Sequence, residues 1–317
     1  MPSENPTLDA IYSHLSGIFA SIPKPEEITE LMINPDGLGY YEYRGDVVEI
    51  KKIVDMTSVS SLISMLASTY DLVCNRDHPR LAVRLPANGD RGGGRVQAII
   101  PPITTAPSLT IRFPAKKQFS LEDLLELGSF NQVRYRDAYM PSRAVPEFLS
   151  RAVKEHRNII VSGPTGSGKT TLANAMLNLI FGERVLVIED TPELFIRNPN
   201  TVYMQTNAAY STRDAVFDAL RMRPDRIMVG EMRDGPTVIE LLKAWMTGHP
   251  GGLTSIHADS AGLVPNRLGA LMKEVVAEVD QDLLRSITLV VHVTRKEVNG
   301  RRIRFVEEIR ETATLSA

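Results

Sequence analysis

Apolar positions along this chain repeat with two periods, and the balance between them changes near the middle. Residues 6–22 carry Leu8, Ile11, Leu15, Ile18 and Phe19 at helical spacing, and residues 59–66 repeat that spacing with Leu62, Ile63 and Leu66. Between these helices, Glu30 to Ile33 and Tyr40 to Tyr43 flank Asn34-Pro35-Asp36-Gly37, where glycine can supply a positive φ, so a hairpin is predicted. Strands follow at Leu81 to Leu85, Val96 to Ile100 and Leu109 to Phe113, separated by the glycine-rich stretch Gly89 to Arg95 and by Pro101-Pro102. The polar break from Pro114 to Gln118 reads as a linker, which gives an α+β domain over 1–114, a linker over 115–119 and a second domain over 120–317. That second domain opens on a capped helix: Ser120 is the N-cap with Asp123 at N3, Phe119 and Leu124 form a staple, and Gly128 is the stop.

From Asn158 onward short apolar runs alternate with amphipathic segments, the pattern of an α/β domain with a mostly parallel, helix-covered sheet. The predicted strands are Ile159 to Ser162, Val185 to Glu189, Val202 to Gln205, Arg226 to Val229 and Leu253 to His257. A closing hairpin is predicted where Ile287 to Arg295 and Arg301 to Glu307 bracket Asn299-Gly300, a pair that favours a type I′ turn.

Composition narrows the classes of function. At 317 residues, 43% hydrophobic and 23% charged, the chain reads as soluble and globular, with room for two cores. Its 36 basic and 38 acidic residues leave a formal charge of −2, so charge indicates no direct binding of nucleic acid. A lone cysteine, Cys74, excludes an internal disulfide and a Cys-x-x-Cys zinc site. The start, MPSENPTLDA, has no secretory pattern, and apolar runs such as Ile287 to Val293 fall far short of a membrane span. A cytoplasmic protein with at most peripheral membrane contact is expected.

The sharpest motif is Gly163-Pro164-Thr165-Gly166-Ser167-Gly168-Lys169-Thr170, a full match to the phosphate-binding loop G-x-x-x-x-G-K-[ST], placed after a strand and before a helix. Glycines let successive backbone N–H groups turn onto phosphate oxygens, and the following helix adds the positive end of its dipole. Lys169 is expected to reach the β and γ phosphates of ATP, Thr170 to ligate Mg²⁺, and Thr171 to complete the loop. Leu172, Met176, Leu179 and Ile180 give the helix an apolar side, with Gly182 after its end.

Two further strands end in acids. Val185 to Asp190 runs into Thr191-Pro192-Glu193, and Ile227 to Glu231 runs into Met232-Arg233-Asp234. The carboxyl ends of parallel strands face the ligand crevice, so these carboxylates suit water activation and Mg²⁺ binding, directly or through water. We expect Glu189 as general base and Glu231 on the metal side. Arg221 and Arg223 precede Pro224, which places them in the last turn of a helix, where they either complement its dipole or supply charge to phosphoryl transfer. Arg112 alternates with Ile111 and Phe113 on a strand and could simply face solvent. His249 and His257 flank a strand; a phosphate sensor is the expected role for His257, ahead of a metal site completed by Asp259.

Together these segments resemble the secretion ATPase superfamily of type II secretion, type IV pilus and type IV secretion motors. The residues carrying the resemblance are Gly163 to Thr171, Ile188 to Glu193, Leu220 to Arg233 and Thr247 to Ala258, four motifs in the family's order. Gly94 to Pro102 and Ser108 to Phe113 are similar to the Trb type of conjugative transfer ATPase. The resemblance implies a RecA-like P-loop ATPase domain behind a smaller N-terminal domain, a homohexamer on the cytoplasmic face of the inner membrane, and contact with inner-membrane components of a secretion or conjugation apparatus. It further implies that nucleotide lies between the two domains, that Arg112 reaches it, and that arginines of the Leu220 to Arg233 segment act at or across the site. Competing readings are a pilus retraction-type motor and a nucleotide-dependent assembly scaffold with incidental hydrolysis.

Overall fold

The computed structural model describes residues 6–43, 46–86, 94–113, 118–207, 209–298 and 301–311. The chain divides into two units, Met1–Lys117 and Gln118–Ala317. Most of the glycine-rich stretch from Gly89, the segment Pro114 to Lys117 and the Asn299-Gly300 turn lie outside the described residues.

In the first unit, helix α1 (Pro6–Phe19) is followed by strands β1 (Ile28–Ile33), β2 (Gly39–Tyr43) and β3 (Asp46–Glu49), helix α2 (Met56–Thr69), and strands β4 (Arg80–Arg84), β5 (Arg95–Ile99) and β6 (Ser108–Arg112). All pairings are antiparallel, in the order β3-β2-β1-β6-β5-β4. Strand alternation turns Leu31, Val96, Ala98, Leu109 and Ile111 into one core with Ile11, Leu15, Leu62 and Leu66 of the two helices. The β1–β2 turn has Gly37 at φ 82°, as its sequence requires. Strand β3 carried no sequence signal, because every one of its four residues is exposed and no alternation is needed.

The second unit runs α3 (Leu121–Glu126), β7 (Val133–Tyr135), β8 (Ala138–Met140), α4 (Ala144–Lys154), β9 (Ile159–Ser162), α5 (Lys169–Leu177), β10 (Val185–Glu189), β11 (Thr201–Gln205), α6 (Thr212–Ala219), β12 (Arg226–Val229), α7 (Gly235–Met246), β13 (Leu253–Ile256), α8 (Val264–Met272), α9 (Gln281–Arg285), β14 (Leu289–Val298) and β15 (Arg301–Glu311). Its described strands form one sheet in the order β11-β10-β12-β13-β9-β14-β15-β7-β8, parallel from β11 through β14. Helices cover both faces, so the central strands β9, β10, β12 and β13 bury both of their sides. Val185 and Val187 enter one core with α4 and α5, while Leu186 and Ile188 enter the other with α6, α7 and α8. This is why the strands read as unbroken apolar runs. Ser120 and Asp123 form the full capping box that starts α3. Helix α5 ends at Leu177, one turn earlier than its apolar stripe suggested, and Ile180 is buried from the turn that follows.

At the N-terminal ends of the parallel strands, two ionic contacts, one buried and one half-buried, tie distant segments. Arg226, 2% exposed, donates to both oxygens of Glu183 at 2.5 and 2.9 Å and to the carbonyls of Val153 and Gly251. At the end of β15, Glu311 accepts from Tyr135 Oη (2.8 Å), Arg136 Nη2 (2.9 Å) and Arg157 Nη2 (2.7 Å). Burial works against the Glu311 charge, but the hydrogen bonds from Arg136, Arg157 and Tyr135 outweigh it and hold the carboxyl down at about 2.

A folded-state value below the unfolded one gives stability that is present above pH ~4.5 and lost as pH falls toward 2. Urea unfolding of wild type and Glu311→Gln at pH 7 and pH 3 is expected to show a gap that narrows with acid. An equal gap at both values would disprove the assignment.

Candidate functional site

The loop between β9 and α5 is shaped by three glycines. Gly163 sits at φ 150°, and a Cβ there would collide with the carbonyl oxygen of Val293 in β14. Gly166 (φ 72°) and Gly168 (φ 98°) take conformations that side chains rarely adopt. Because the N-cap position of α5 is Gly168, no side chain satisfies the first N–H groups of that helix, which stay open for an anion.

Lys169 is only 9% exposed and folds back over the loop. Its ammonium donates to the carbonyls of Gly163 (2.9 Å) and Pro164 (3.2 Å) and lies 3.3 Å from Nδ1 of His257. Burial pulls its pKa below the ordinary lysine value, opposed by the charges of Glu231 and Glu193. Ser167 Oγ is buried without a hydrogen-bond partner among the described residues.

An ammonium has only protons to give, so Nδ1 of His257 must accept and Nε2 carries the hydrogen. That Nε2 lies 2.8 Å from Glu231 Oε1, while Arg233 Nε donates to Glu231 Oε2 at 2.6 Å and Arg233 Nη1 contacts Asp190. A polar chain therefore runs Lys169–His257–Glu231–Arg233–Asp190 across the carboxyl ends of β9, β13, β12 and β10. Ordered strand ends alone bring these five residues together.

Glu189 has a different environment. It is 6% exposed, and Oε1 accepts from the backbone N–H groups of Glu193 and Leu194, each at 3.0 Å. Burial raises its pKa, the two backbone bonds lower it, the charges of Glu193 and Asp190 raise it again, and the carboxyl rests at about 7. Gly230 faces it, and a Cβ there would lie 2.9 Å from Glu189 Cγ, which accounts for the glycine before Glu231.

By holding the turn after β10, Glu189 presents Glu193, whose exposed carboxylate accepts the hydroxyl of Thr170 at 2.9 Å. Asn174 pins the same turn from α5, donating to the carbonyl of Glu193 and accepting from the N–H of Phe195. Glu193 and Arg233 were therefore missed as site residues. Both lie within the motif segments, but only the folded turn shows that Glu193, rather than Glu189, reaches the loop threonine.

The arginines need a correction. Helix α6 ends at Ala219 with Leu220 as its cap, so Arg221 and Arg223 lie beyond it, not in its last turn. Pro224 disfavours helix at the residue before it, and Arg223 stands at φ 54°. The Arg221 guanidinium covers the Phe217 ring at 4.1 Å. Both residues precede β12, so the strand, about 10 Å long, separates them from Glu231 at its other end. His249 also belongs to that far end, bonded to Pro224 O at 3.1 Å, and cannot share a metal with His257 beyond β13. Arg112 lies on β6 in the first unit, 3.7 Å from Glu30.

Beside the acids, a cavity of about 280 Å³ opens among Glu189, Asp190, Thr206, Thr212, Glu231 and Arg233. Among the described residues no group of three His, Cys, Asp or Glu side chains could hold a metal alone. Mg²⁺ needs no such group, since it takes one or two protein oxygens and completes its shell with water and substrate phosphates. The open N–H groups of α5, the unpartnered Ser167 hydroxyl and the buried Lys169 ammonium all suit a nucleotide polyphosphate.

Comparison with known proteins agrees. The profile of the family described as Type II/IV secretion system protein matches residues 77–315. A conjugal transfer protein, TrbB of Rhizobium radiobacter, is 33% identical over 287 residues, which cover 89% of this chain and 84% of that protein. The crystal structure of the VirB11 ATPase from the Brucella suis type IV secretion system, in complex with sulphate, is 29% identical, with a TM-score of 0.50 and coverage of 98% of this chain and 96% of that one. The ATPase DotB of Legionella pneumophila shares the fold at 21% identity, with a TM-score of 0.64 over 96% of this chain and 82% of that one.

The raised Glu189 carboxyl generates a prediction about stability. Between pH ~4.5 and 7 the folded state holds a proton that the unfolded chain has released, so stability falls with rising pH by about 3 kcal/mol. Urea unfolding at pH 5 and pH 8 should show Glu189→Gln gaining on wild type at the higher pH. Parallel pH curves would mean that the carboxyl titrates at its ordinary value.

Proposed function

The chain belongs to the Type II/IV secretion system protein family, and from that premise we propose that it is the ATP-hydrolysing motor of a bacterial conjugative type IV secretion system. The observation that carries this reading is the loop from Gly163 to Thr171, which combines a buried lysine, helix-start amides that no side chain caps and a buried hydroxyl with no partner among the described residues. The likeness to TrbB and to the VirB11 ATPase supports the task that the hydrolysis serves.

In this reading the amides of Gly166 to Thr171 bind the phosphates, and Lys169 leaves the carbonyls of Gly163 and Pro164 to meet the β and γ oxygens. Thr170, with Glu231 directly or through water, would hold Mg²⁺, which neutralises charge on the phosphates. Glu193 accepts the proton of the attacking water, because it is the exposed carboxylate nearest the loop threonine. Glu189 acts by fixing the turn that carries Glu193. His257 links Lys169 to Glu231 and so couples the state of the γ phosphate to the acids on β12.

We further propose a homohexamer working at the cytoplasmic face of the inner membrane. No helix among the described residues is long and apolar enough to cross a membrane. The placement of Arg221 and Arg223 at the end of the strands opposite their own loop supports an assembly in which a neighbour's arginines serve the site.

Lys169→Ala is expected to abolish hydrolysis, and Glu193→Gln to keep ATP binding while lowering kcat about a hundredfold or more. Glu231→Gln should also lose turnover. Steady-state phosphate release alongside nucleotide binding checks all three. Normal turnover in Lys169→Ala would end the motor reading, and normal turnover in Glu193→Gln would return the role of base to Glu189. Assembly that stays ATP-dependent in a wild type without hydrolysis would favour a scaffold.

The arginine proposal has its own readout. Arg221→Ala or Arg223→Ala alone should lose activity, and mixing either with Lys169→Ala should restore part of it through shared sites. No recovery in any mixture, with rings formed, would count against action between subunits.

A further inference from the structure

The hairpin of β14 and β15 does more than extend the sheet. Strand β14 runs parallel to β9, with His292 opposite Ser162, and continues past the point where β9 becomes the phosphate loop. Its antiparallel partner β15 returns beside it, with Arg304 directly opposite Arg295. Arg304 lies along Gly168, its Cδ 3.7 Å from where a Cβ would stand, and its Nε donates to the carbonyl of Gly166 at 3.0 Å. Arg295 approaches the same glycine, with Nη1 3.0 Å from the position of a Cβ. Gly166 has no side chain, and that is what admits it.

Like charges directly opposite on neighbouring strands destabilise the pair. Carboxylates commonly relieve such pairs, and nearby Lys296 has this relief from Glu307 and from the Phe305 ring. Among the described residues, no carboxylate pairs with Arg295 or Arg304. Both guanidiniums are exposed at the loop's rim, and Arg304 spends only its Nε there, leaving its other N–H groups to donate. On the same loop the Ser167 hydroxyl, 1% exposed, has no partner, and Lys169 has only neutral ones. Three cations thus surround one loop whose amides already favour an anion.

We propose that Arg295 and Arg304 are nucleotide-binding residues that close on the polyphosphate of the chain's own bound nucleotide, from the side of the loop opposite the acids on β10 and β12. The inference rests on the nucleotide-binding reading of Gly163 to Thr171. Its ligand is the di- or triphosphate group rather than the base, since guanidinium forks match phosphate oxygens. These contacts exist for ATP and ADP alike, so they set affinity and leave the chemical step to Lys169, Glu193 and Glu231.

The test uses the full chain, with fluorescent ATP and ADP binding, steady-state hydrolysis, and inorganic tripolyphosphate as competitor. Arg295→Gln and Arg304→Gln together are expected to raise Kd for both nucleotides and KM for ATP about tenfold or more, with kcat changed less than about threefold. Tripolyphosphate should compete correspondingly worse, the salt dependence of Kd should flatten, and Arg304→Lys should recover part of the affinity through its charge. Unchanged Kd and KM in the double variant, with wild type binding and hydrolysing ATP, would overturn the inference and leave the loop assignment standing. So would a loss of kcat equal to the loss of affinity with tripolyphosphate competition intact, since that marks a distorted loop. A wild type that binds no more nucleotide than Lys169→Ala would instead remove the underlying reading, and the inference with it.

Discussion

A buried ammonium group with no carboxylate in contact among the described residues sets the terms for the rest of this site. Lys169 keeps its charge against burial by borrowing two backbone carbonyls and one imidazole nitrogen, with Glu231 and Glu193 acting only at longer range. Neutral partners satisfy its hydrogens but do not balance its charge. The loop can accept a phosphate anion because that balance is left open. A carboxylate in direct contact would have closed the site and stabilised the empty state.

Everything around Lys169 follows from how parallel strands end. β9, β10, β12 and β13 all point one way, and the residues just past their ends are Gly163, Asp190, Glu231 and His257. The opposite ends carry structural ions instead: Arg226 on Glu183, and Glu311 among Tyr135, Arg136 and Arg157. One sheet therefore separates an end where the Lys169 charge is left unmatched by a contacting carboxylate from an end where opposite charges meet directly. The two glutamates of the turn after β10 divide along the same line. Glu189 is buried, proton-retaining and devoted to the backbone, while Glu193 is exposed and accepts the hydroxyl of the loop threonine.

Strand β14 links the loop to the closing hairpin through a contact that tolerates no side chain at Gly163. It also buries His292 against Ser162, with Nδ1 3.0 Å from the serine hydroxyl. Movement of the hairpin and movement of the loop are coupled by this packing, since neither can shift far without breaking the β9–β14 register.

Local chemistry settled much of this protein in advance. The phosphate loop is legible because its glycines, lysine and threonine are required at fixed spacing by backbone geometry. The parallel strands are legible because burial on both faces forces unbroken apolar runs, and α3 because its cap is written in Ser120 and Asp123. Exposed β3 and the three-residue strands β7 and β8 left no such trace, since so little of them is constrained by burial. Tertiary structure alone decided which acid does what: Glu189 and Glu193 are four residues apart and chemically identical, and only the fold of the turn buries one and exposes the other. It alone set Arg304 against Gly166, 138 residues away along the chain. A side chain's type can be read from its own position, but its partners depend on what the rest of the chain brings beside it.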